Sequence, residues 1–304
     1  AVITITADID DAVGISVPSG KNLTVDFGGH TYTLSDPGAG STGTETNGFQ
    51  LLKGSNLTFK NGTIRIAEGC TRIKRVFQSY ANVTFEDLTI DATNQAVSKD
   101  YPLSFNCGNV VFKGKTNIIG INSQNKAFDV YYWQEDYEEG VSVTFDYTFC
   151  GHVDGTIVYD STNPMKAKLE VYGSGTIAGI EVSEDAERIE PDITVYGGVI
   201  QNGIDEDFLA PGMEQDNDSG KIVLKDENVA VVSSGETGQV LGGYTSLADA
   251  VSNAPEGSVV ELTKDVTINS TIVVNNDITI TAADDVKVTV TEGTTAFRLA
   301  ASGS

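Results

Sequence analysis

Basic residues, cysteines and long apolar runs are scarce in this sequence, and each scarcity excludes a class of protein. Nineteen lysines and arginines stand against 43 aspartates and glutamates, for a formal net charge of -24. A surface of this sign repels phosphate backbones and polyanionic polysaccharides, so nucleic acid is not expected as a partner. No apolar run approaches the roughly 20 residues that span a bilayer, so membrane insertion is not expected either.

The three cysteines, Cys70, Cys107 and Cys150, are too few and too widely spaced for a disulfide framework or a short-spaced metal site. We expect them to fill the core. Amphipathic stretches of helical length are nearly absent, which excludes a helix-packed α/β protein, and the best helix candidate is SLADAVSN at 246–253. The first residues, AVITITADIDD, alternate like a strand and do not resemble a signal peptide, so we expect a mature, soluble chain.

What the sequence does contain is typical of many short strands joined by turns. Glycine is abundant at 32 and proline low at 7, and runs of Val, Ile and Thr are broken by Gly, Asn and Asp. Hydrophobic residues make up 39% of the chain, which is enough for a narrow continuous core and argues against disorder.

A short phrase recurs along the chain, in which an apolar, polar, apolar triplet follows a turn residue. The copies are KNLTVDFGG, SNLTFKNGT, ANVTFEDLT, GNVVFKGKT, VSVTFDYTF, AKLEVYGSG and PDITVYGGV, with triplets that begin at Leu23, Leu57, Val83, Val110, Val143, Leu169 and Ile193. Their spacings of 24 to 34 residues fit one coil of three short strands and three turns. We therefore predict an all-β right-handed parallel β-helix, in which the triplets stack as ladders, with longer loops at 36–47, 91–102, 122–140 and 205–220.

A second, longer repeat appears when the segment from Ser258 is laid over the segment from Ala1 at an offset of 257 residues. Val260 then falls on Ile3 and Ile272 on Ile15, and the phrase FRL at Phe297 echoes FQL at Phe49. We predict three parts: residues 1–224 as a β-helix unit without a capping helix before it, 225–245 as a polar, Gly-rich linker, and 246–304 as the truncated start of a second unit that opens with the short helix. The parent protein is therefore expected to be a tandem array.

The stretch ITVYGGVIQNGIDEDFLAPGMEQDNDSGKIVL, followed by YTSLADAVSNAPEGSVVELTKDVTI, resembles the junction between repeats in large cell-surface proteins of gut and other Gram-positive bacteria. Those repeats have the pectate-lyase-like β-helix fold. The resemblance covers the last third of the chain and, through the internal repeat, the first third. It implies an adhesin-like protein, secreted or attached to the cell wall, and it brings no catalytic residues with it.

The same fold also hosts pectate lyases and polygalacturonases, so catalytic residues have to separate an adhesin from an enzyme. Arg72, Ile73 and Lys74 spell the Arg-Ile-Lys phrase of polygalacturonases, but the Asn-Thr-Asp and Gly-His-Gly phrases that should precede it are missing. We interpret that match as chance and expect the local basic cluster of Arg65, Arg72, Lys74 and Arg75 to pair with acids. His152 and Asp154 are the remaining catalytic pair by type, since residues two apart on a strand share a face, and a Gly-flanked turn is the structural alternative.

Calcium is the one cofactor that the sequence suggests. Asp216 and Asp218 place carboxylates at alternating positions before Gly220, as hard cations prefer. A complete calcium loop needs a third carboxylate and a distal bidentate Glu, which are missing here, so a solvated turn is favoured and no cofactor is predicted.

The leading hypothesis is a non-catalytic, extracellular β-helix repeat that acts as a rigid spacer, monomeric within a larger array. Host or microbial glycans or matrix proteins are the expected partners, with Tyr131, Tyr132 and Trp133 as the stacking residues, unless these aromatics close the core. The alternatives are a polysaccharide lyase or glycoside hydrolase of the same superfamily, and a phage tail or spike module.

Overall fold

The structure is a computed structural model that describes residues 1–40, 45–132, 140–163, 166–190 and 192–300. It is all-β, with 49% strand and 4% helix, and its parallel strands stack into a β-solenoid of about 11 turns. The predicted fold class, a parallel β-helix, is confirmed. The chain divides into two compact units, Ala1–Ile204 and Asp205–Ser304.

Three parallel sheets, here called faces A, B and C, run along the first unit because each coil contributes a strand to each face. Face A consists of β1 (Val2–Thr4), β4 (Asn22–Asp26), the first half of β7 (Asn56–Ile66), the first half of β9 (Asn82–Asp91), β11 (Gly108–Lys113), β14 (Val141–Phe145), β16 (Ala167–Val171) and β18 (Ile193–Val195).

Face B follows face A around the coil. It consists of β2 (Ile9–Val13), β5 (Thr31–Asp36), the second halves of β7 and β9, β12 (Asn117–Ile119), the start of β15 (His152–Tyr159), the start of β17 (Thr176–Val182) and β19 (Val199–Ile200). Face C closes the coil with β3 (Ile15–Val17), β6 (Asn47–Leu51), β8 (Arg75–Ser79), β10 (Leu103–Phe105), β13 (Lys126–Val130) and the ends of β15 and β17.

The repeated triplets form face A and stack in register, as predicted. Leu23 pairs with Leu57, and Leu57 with Val83. The ladder continues without a shift through the remaining four triplets, as the pairs Val83 with Val110, Val110 with Val143, Val143 with Leu169 and Leu169 with Ile193 show. Side chains two residues apart on a strand point to the same side, so the third residue of each triplet points into the core together with the first.

Phenylalanine rings fill the core where faces A and C approach each other. On face A, Phe85 stacks on Phe112 with ring centroids 5.3 Å apart, and Phe112 stacks on Phe145 at 4.8 Å. Rings from face C meet this ladder edge to face, as Phe77 does with Phe85 at 5.0 Å. Offset-stacked and edge-to-face pairs each add stabilisation beyond their buried area, so the core is both apolar and geometrically specific.

A single residue with positive φ turns the chain from face A to face B in two adjacent coils. β7 bends at Asn61 (φ 57) and β9 at Asp87 (φ 49). Asn and Asp tolerate this left-handed conformation better than other non-Gly residues. The two side chains also bond neighbouring coils, since Asn61 Nδ2 donates to Asp26 Oδ1 at 3.1 Å and Asp87 Oδ1 accepts from the Lys115 amide at 2.8 Å.

The expectation that the cysteines fill the core is wrong for two of them. Cys107 is buried, but Cys70 is partly exposed and Cys150 is exposed, and none of the three forms a disulfide. Cys70 and Cys150 lie in turns, before β8 and β15, where the chain runs along the surface. The position of these two cysteines in turns, and not their residue type, therefore decides their exposure.

The second unit begins with two antiparallel hairpins and a helix, followed by two coils. The hairpins are β20 (Met213–Gln215) with β21 (Ile222–Leu224), and β22 (Ala230–Ser234) with β23 (Val240–Tyr244); the helix is α1 (Leu247–Asn253). The coils are β24 (Ser258–Leu262), β25 (Val266–Ile268) and β26 (Ile272–Val274), then β27 (Thr279–Ala282), β28 (Val288–Val290) and β29 (Phe297–Leu299), each pair parallel. A short 3-10 helix covers Glu206–Phe208.

The predicted short helix is confirmed as α1. The Ser246 hydroxyl caps its first turn by accepting from the Asp249 amide at 3.1 Å. Leu247, Ala250 and Val251 face the core of the second unit, where they join Val260 and Ile272. Because seven residues are too few for a stable isolated helix, packing on this core holds α1 in place.

The compact units and the predicted parts divide the chain at different positions. The compact units divide between Ile204 and Asp205, whereas the sequence suggested 224 and 225. Within the expected linker, β22 pairs on one edge with β23 and on the other with β24. Its VAVV run supplies buried side chains, so a Gly-rich and polar composition did not prevent strand formation.

Truncation of a ladder phenylalanine should destabilise the first unit strongly. We expect Phe112→Ala to lower the free energy of unfolding by about 3 to 5 kcal/mol, because the ring is fully buried between two stacked neighbours. Urea unfolding followed by the fluorescence of Trp133, the single tryptophan, measures it. Tyr147→Ala, at a ring that is 53% exposed, is the control and should change the value by less than about 0.5 kcal/mol; equal effects would contradict the core assignment.

Candidate functional site

The side of face C that points away from the core carries a buried carboxyl group, Asp129. It lies on β13, between Phe128 and Val130, which point inward, so its side chain points outward. In the ladder it pairs with Ser104 of β10 on one side and Val158 of β15 on the other. Asp129 is nevertheless only 7% exposed.

Burial makes Asp129 a weak acid. It raises the pKa of this carboxyl to about 7, a shift that a hydrogen bond with Ser104 and the charge of Arg75 oppose and the charge of Asp160 increases. One carboxyl oxygen, Oδ1, has no hydrogen-bond partner among the described residues. Buried polar atoms in folded proteins are nearly always paired, so an unpaired one marks a site that calls for explanation.

Several charged groups and one phenol surround this carboxyl, and we call Arg75, Asp100, Tyr101, Asp129 and Asp160 the Asp129 cluster. Arg75 Nη2 donates to Asp100 Oδ1 at 3.0 Å, and Lys74 Nζ lies 3.6 Å from Asp100 Oδ2. Burial, and then the charges of Asp129 and Asp160, raise the pKa of Tyr101 well above its usual range. The Asp160 carboxylate is held by the Ser183 hydroxyl.

The cluster has one property of an acid–base site. A carboxyl group that keeps its proton near pH 7 can act as a general acid. Glycoside hydrolysis needs in addition a second carboxylate across an open space that holds the sugar. Asp129 is only 7% exposed, so it offers little surface to a sugar, and the Asp160 carboxylate accepts a hydrogen bond from Ser183.

His152 and Asp154 contact each other on β15, with His152 Nε2 2.9 Å from Asp154 Oδ1. Asp154 Oδ2 also accepts from the Gly120 amide at 3.0 Å and so joins two coils of face B. Arg72 lies before β8 and pairs with Asp36 at 2.5 Å. No contact between described residues joins Arg72 to the other two, so the three catalytic candidates do not form one site there.

Three of the four residues of the basic cluster pair with acids, as expected, and Arg65 bonds a hydroxyl instead. Arg72 binds Asp36, and both Lys74 and Arg75 bind Asp100. Arg65 Nε donates to the Thr33 hydroxyl at 3.0 Å.

The three aromatic residues expected to stack on sugars begin directly after β13. The Tyr131 amide donates to Phe105 O at 3.0 Å and so continues the face C ladder, and its side chain is partly exposed. Tyr132 is only 5% exposed and offers little ring surface to a ligand. Trp133 lies outside the described residues. The prediction of a stacking site therefore depends on Tyr131 in the part that the structure describes.

The two calcium candidates lie in the turn between β20 and β21. Asp216 Oδ1 accepts from the Ser219 amide at 2.8 Å and from the Ser219 hydroxyl at 2.5 Å, and these bonds lower the pKa of Asp216. Asp216 thus stabilises the turn through these two hydrogen bonds. Across the described ranges, no group of three or more His, Cys, Asp or Glu residues could hold a metal ion.

Sequence reasoning missed a stacked pair of tyrosines on face A. The rings of Tyr172 and Tyr196 are nearly parallel, with an interplanar angle of 7° and centroids 4.4 Å apart. Tyr172 Oη donates to Glu170 Oε1 at 2.9 Å. The signal was available, since EVYG and TVYG put both tyrosines at one position of the repeat.

Face A also carries a shallow groove of about 530 Å³ at its other end. An amide ladder forms one side, in which Asn56 Nδ2 donates to Asn22 Oδ1 at 2.9 Å and Asn82 Nδ2 to Asn56 Oδ1 at 3.0 Å. Thr24, Thr58 and Thr84 stack beside it. Hydroxyl and amide groups at regular intervals suit polar, repetitive ligands.

Comparison with known proteins assigns no family: no family model, no curated protein and no solved structure matches the chain. None of the helices in the described ranges has the length and apolar character to cross a membrane. The class of protein is therefore defined by its fold alone, a parallel β-solenoid.

The raised pKa of Asp129 predicts a specific pH dependence of stability. An unfolded aspartate titrates near 3.9, so between about pH 4 and pH 7 the folded chain retains a proton that the unfolded chain has lost. The free energy of unfolding contributed by Asp129 therefore falls as pH rises through this window and levels off above it.

Asp129→Asn removes this titration and keeps the side-chain volume. Between pH 5 and pH 8, we expect wild type to lose about 2 to 3 kcal/mol more than the variant. Urea unfolding at both pH values, followed by Trp133 fluorescence, measures the difference. Asp154→Asn is the matched control and should follow wild type; parallel curves for wild type and Asp129→Asn would contradict a raised pKa.

Proposed function

We propose that this chain is a non-catalytic β-solenoid module of a tandem array in a secreted or wall-attached bacterial surface protein. In this role it is a stiff spacer that presents its outer faces to glycans or matrix proteins. The observation that supports the proposal best is the second unit, whose first coils repeat the strand order and pairing of the first unit. A chain that restarts its own fold in this way is built for lengthwise extension.

Stiffness follows from the way the coils stack. Eight strands of face A pair in one uninterrupted parallel ladder from Val2 to Val195. At about 4.8 Å per strand, this ladder extends over roughly 34 Å. Bending it would break backbone hydrogen bonds and ring stacks at the same time, so each unit adds a fixed length to the array.

Display is supported by the chemistry of face A. The stacked tyrosines Tyr172 and Tyr196 combine aromatic surface with the nearby Glu170 carboxylate. Aromatic surfaces suit the C–H surfaces of sugars, and carboxylates accept hydrogen bonds from their hydroxyls. A neutral glycan fits this surface better than a polyanionic one, since the chain carries a net charge of -24.

Glycan display predicts selective binding that depends on an exposed aromatic surface. On an array of neutral and acidic glycans, we expect the full chain to bind neutral glycans and Tyr196→Ala to lose at least tenfold in affinity. Tyr131→Ala tests the alternative aromatic position in the same assay. Tyr147→Ala is the control, since Tyr147 is 53% exposed and is not one of the two stacked rings; equal losses in all three variants, or no binding by the folded chain, would contradict display.

A second candidate function, polysaccharide cleavage, is favoured by one observation, the buried and weakly acidic Asp129, whose Oδ1 has no hydrogen-bond partner among the described residues. If it is correct, wild type releases reducing ends or unsaturated products from polysaccharides between pH 5 and pH 7, and Asp129→Asn does not. Absence of product from both proteins favours the non-catalytic proposal. A monomeric mass in solution would further exclude a trimeric phage spike.

A further inference from the structure

The first coils of the two units are equivalent strand by strand. Ile3 of β1 pairs with Val25, and Val260 of β24, 257 residues later, pairs with Ile280. Ile15 of β3 pairs with Phe49, and Ile272 of β26 pairs with Phe297. These pairs lie at matched positions of the repeat, so the two first coils present the same kind of edge to whatever precedes them.

The two edges differ in what covers them. Ile3 is 48% exposed, whereas Val260 is fully buried. Ile15 is 42% exposed, whereas Ile272 is 7% exposed. Among the described residues, β1 and β3 each pair with one strand only, β4 and β6, so their second backbone edges have no partner strand in that part of the chain. An unpaired and apolar strand edge is a template for pairing.

In the second unit the cover is a hairpin and a helix. β22 runs antiparallel to β24, with Val232 opposite Val260 and Ser234 opposite Ser258. α1 then packs on the open end of the coil and places Leu247 and Val251 against the same buried cluster as Ile268 and Ile272. The hairpin pairs with the backbone edge and the helix covers the apolar end, so β22, β23 and α1 together cap this end of the second unit.

We propose that the edge formed by β1, β2 and β3 is a docking site for a cap of this kind, a β-hairpin and short amphipathic helix with the chemistry of residues 205–257. The repeat fixes the register: the strand equivalent to β22 runs antiparallel to β1, with its Val232 position opposite Ile3. The proposal rests on the proposed function as a unit of a tandem array. It adds the joint between units, in which each unit supplies the cap for the coils that follow.

Another coil is a poorer occupant of this edge than the cap. A coil would have to pair in parallel with β1, but the equivalent edge of β24 pairs antiparallel. A coil would also leave its own far edge open, whereas β22 pairs on its far side with β23. Only the cap ends the ladder.

The test adds residues 205–257 directly before Ala1 of the full chain, which places the added copy as the natural copy is placed before Ser258. Hydrogen–deuterium exchange of backbone amides then compares residues 2–17 with residues 258–274. In the original chain, we expect residues 2–17 to exchange at least tenfold faster. With the added cap, their exchange should slow at least tenfold, while residues 258–274 stay unchanged and show that the chain is folded.

The matched control carries Leu247→Asp and Val251→Asp in the added copy only, which removes the buried face of that helix. It should leave residues 2–17 fast. Equal slowing by both versions, or no slowing by the intact cap, would overturn the proposal. If the exchange of residues 2–17 in the original chain instead slows as the protein concentration rises, and the chain has a dimeric mass, the edge would be assigned to a second copy. None of these readouts measures glycan binding or catalysis, so failure here is distinguishable from failure of the proposed function.

Discussion

In-register parallel stacking is the constraint on which the rest of this structure depends. Each backbone edge pairs with the next coil, so a residue lies about 4.8 Å from its equivalents above and below. Whatever side chain the repeat puts at a position therefore forms a column. Inside, this turns Phe85, Phe112 and Phe145 into one stack, and outside it turns Asn22, Asn56 and Asn82 into one amide ladder.

Features that repeat with the coil could be read from the sequence, and features that depend on a single loop could not. The triplet at Leu57 and the offset between Ile3 and Val260 predicted both the ladders and the second unit. The burial of Asp129 was not predicted, because residues 122–140 were expected to form a loop, whereas β13 (Lys126–Val130) continues face C there and the outward Asp129 side chain is only 7% exposed. The turn position of Cys150 was missed for a similar reason, since residue type says little where the chain leaves the ladder.

The same stacking that makes the fold extensible leaves it with open ends. A closed barrel has no strand edge, whereas a solenoid always has two, and each must be covered or left to pair with other chains. The second unit shows a solution in which β22 changes the pairing from parallel to antiparallel. That change ends the ladder in one direction, because a new coil cannot continue it, and α1 then covers the side chains that a coil would have buried.

Stacking also bears on how so acidic a chain can fold into coils whose equivalent residues lie one above another. Like charges one above another at this spacing would repel, and on face A the repeat avoids this by alternation. Asp26, Lys60, Glu86 and Lys113 follow one another in the ladder, and Lys113 pairs with Asp146 at 3.4 Å. Neighbouring acids occur where the coils impose no column, as in the turn at Asp284 and Asp285 and at the irregularity of β2 between Ile9 and Ala12, where Asp10 and Asp11 lie. The net charge of -24 keeps the corners of the solenoid strongly hydrated, while face A stays close to neutral and free to contact a partner.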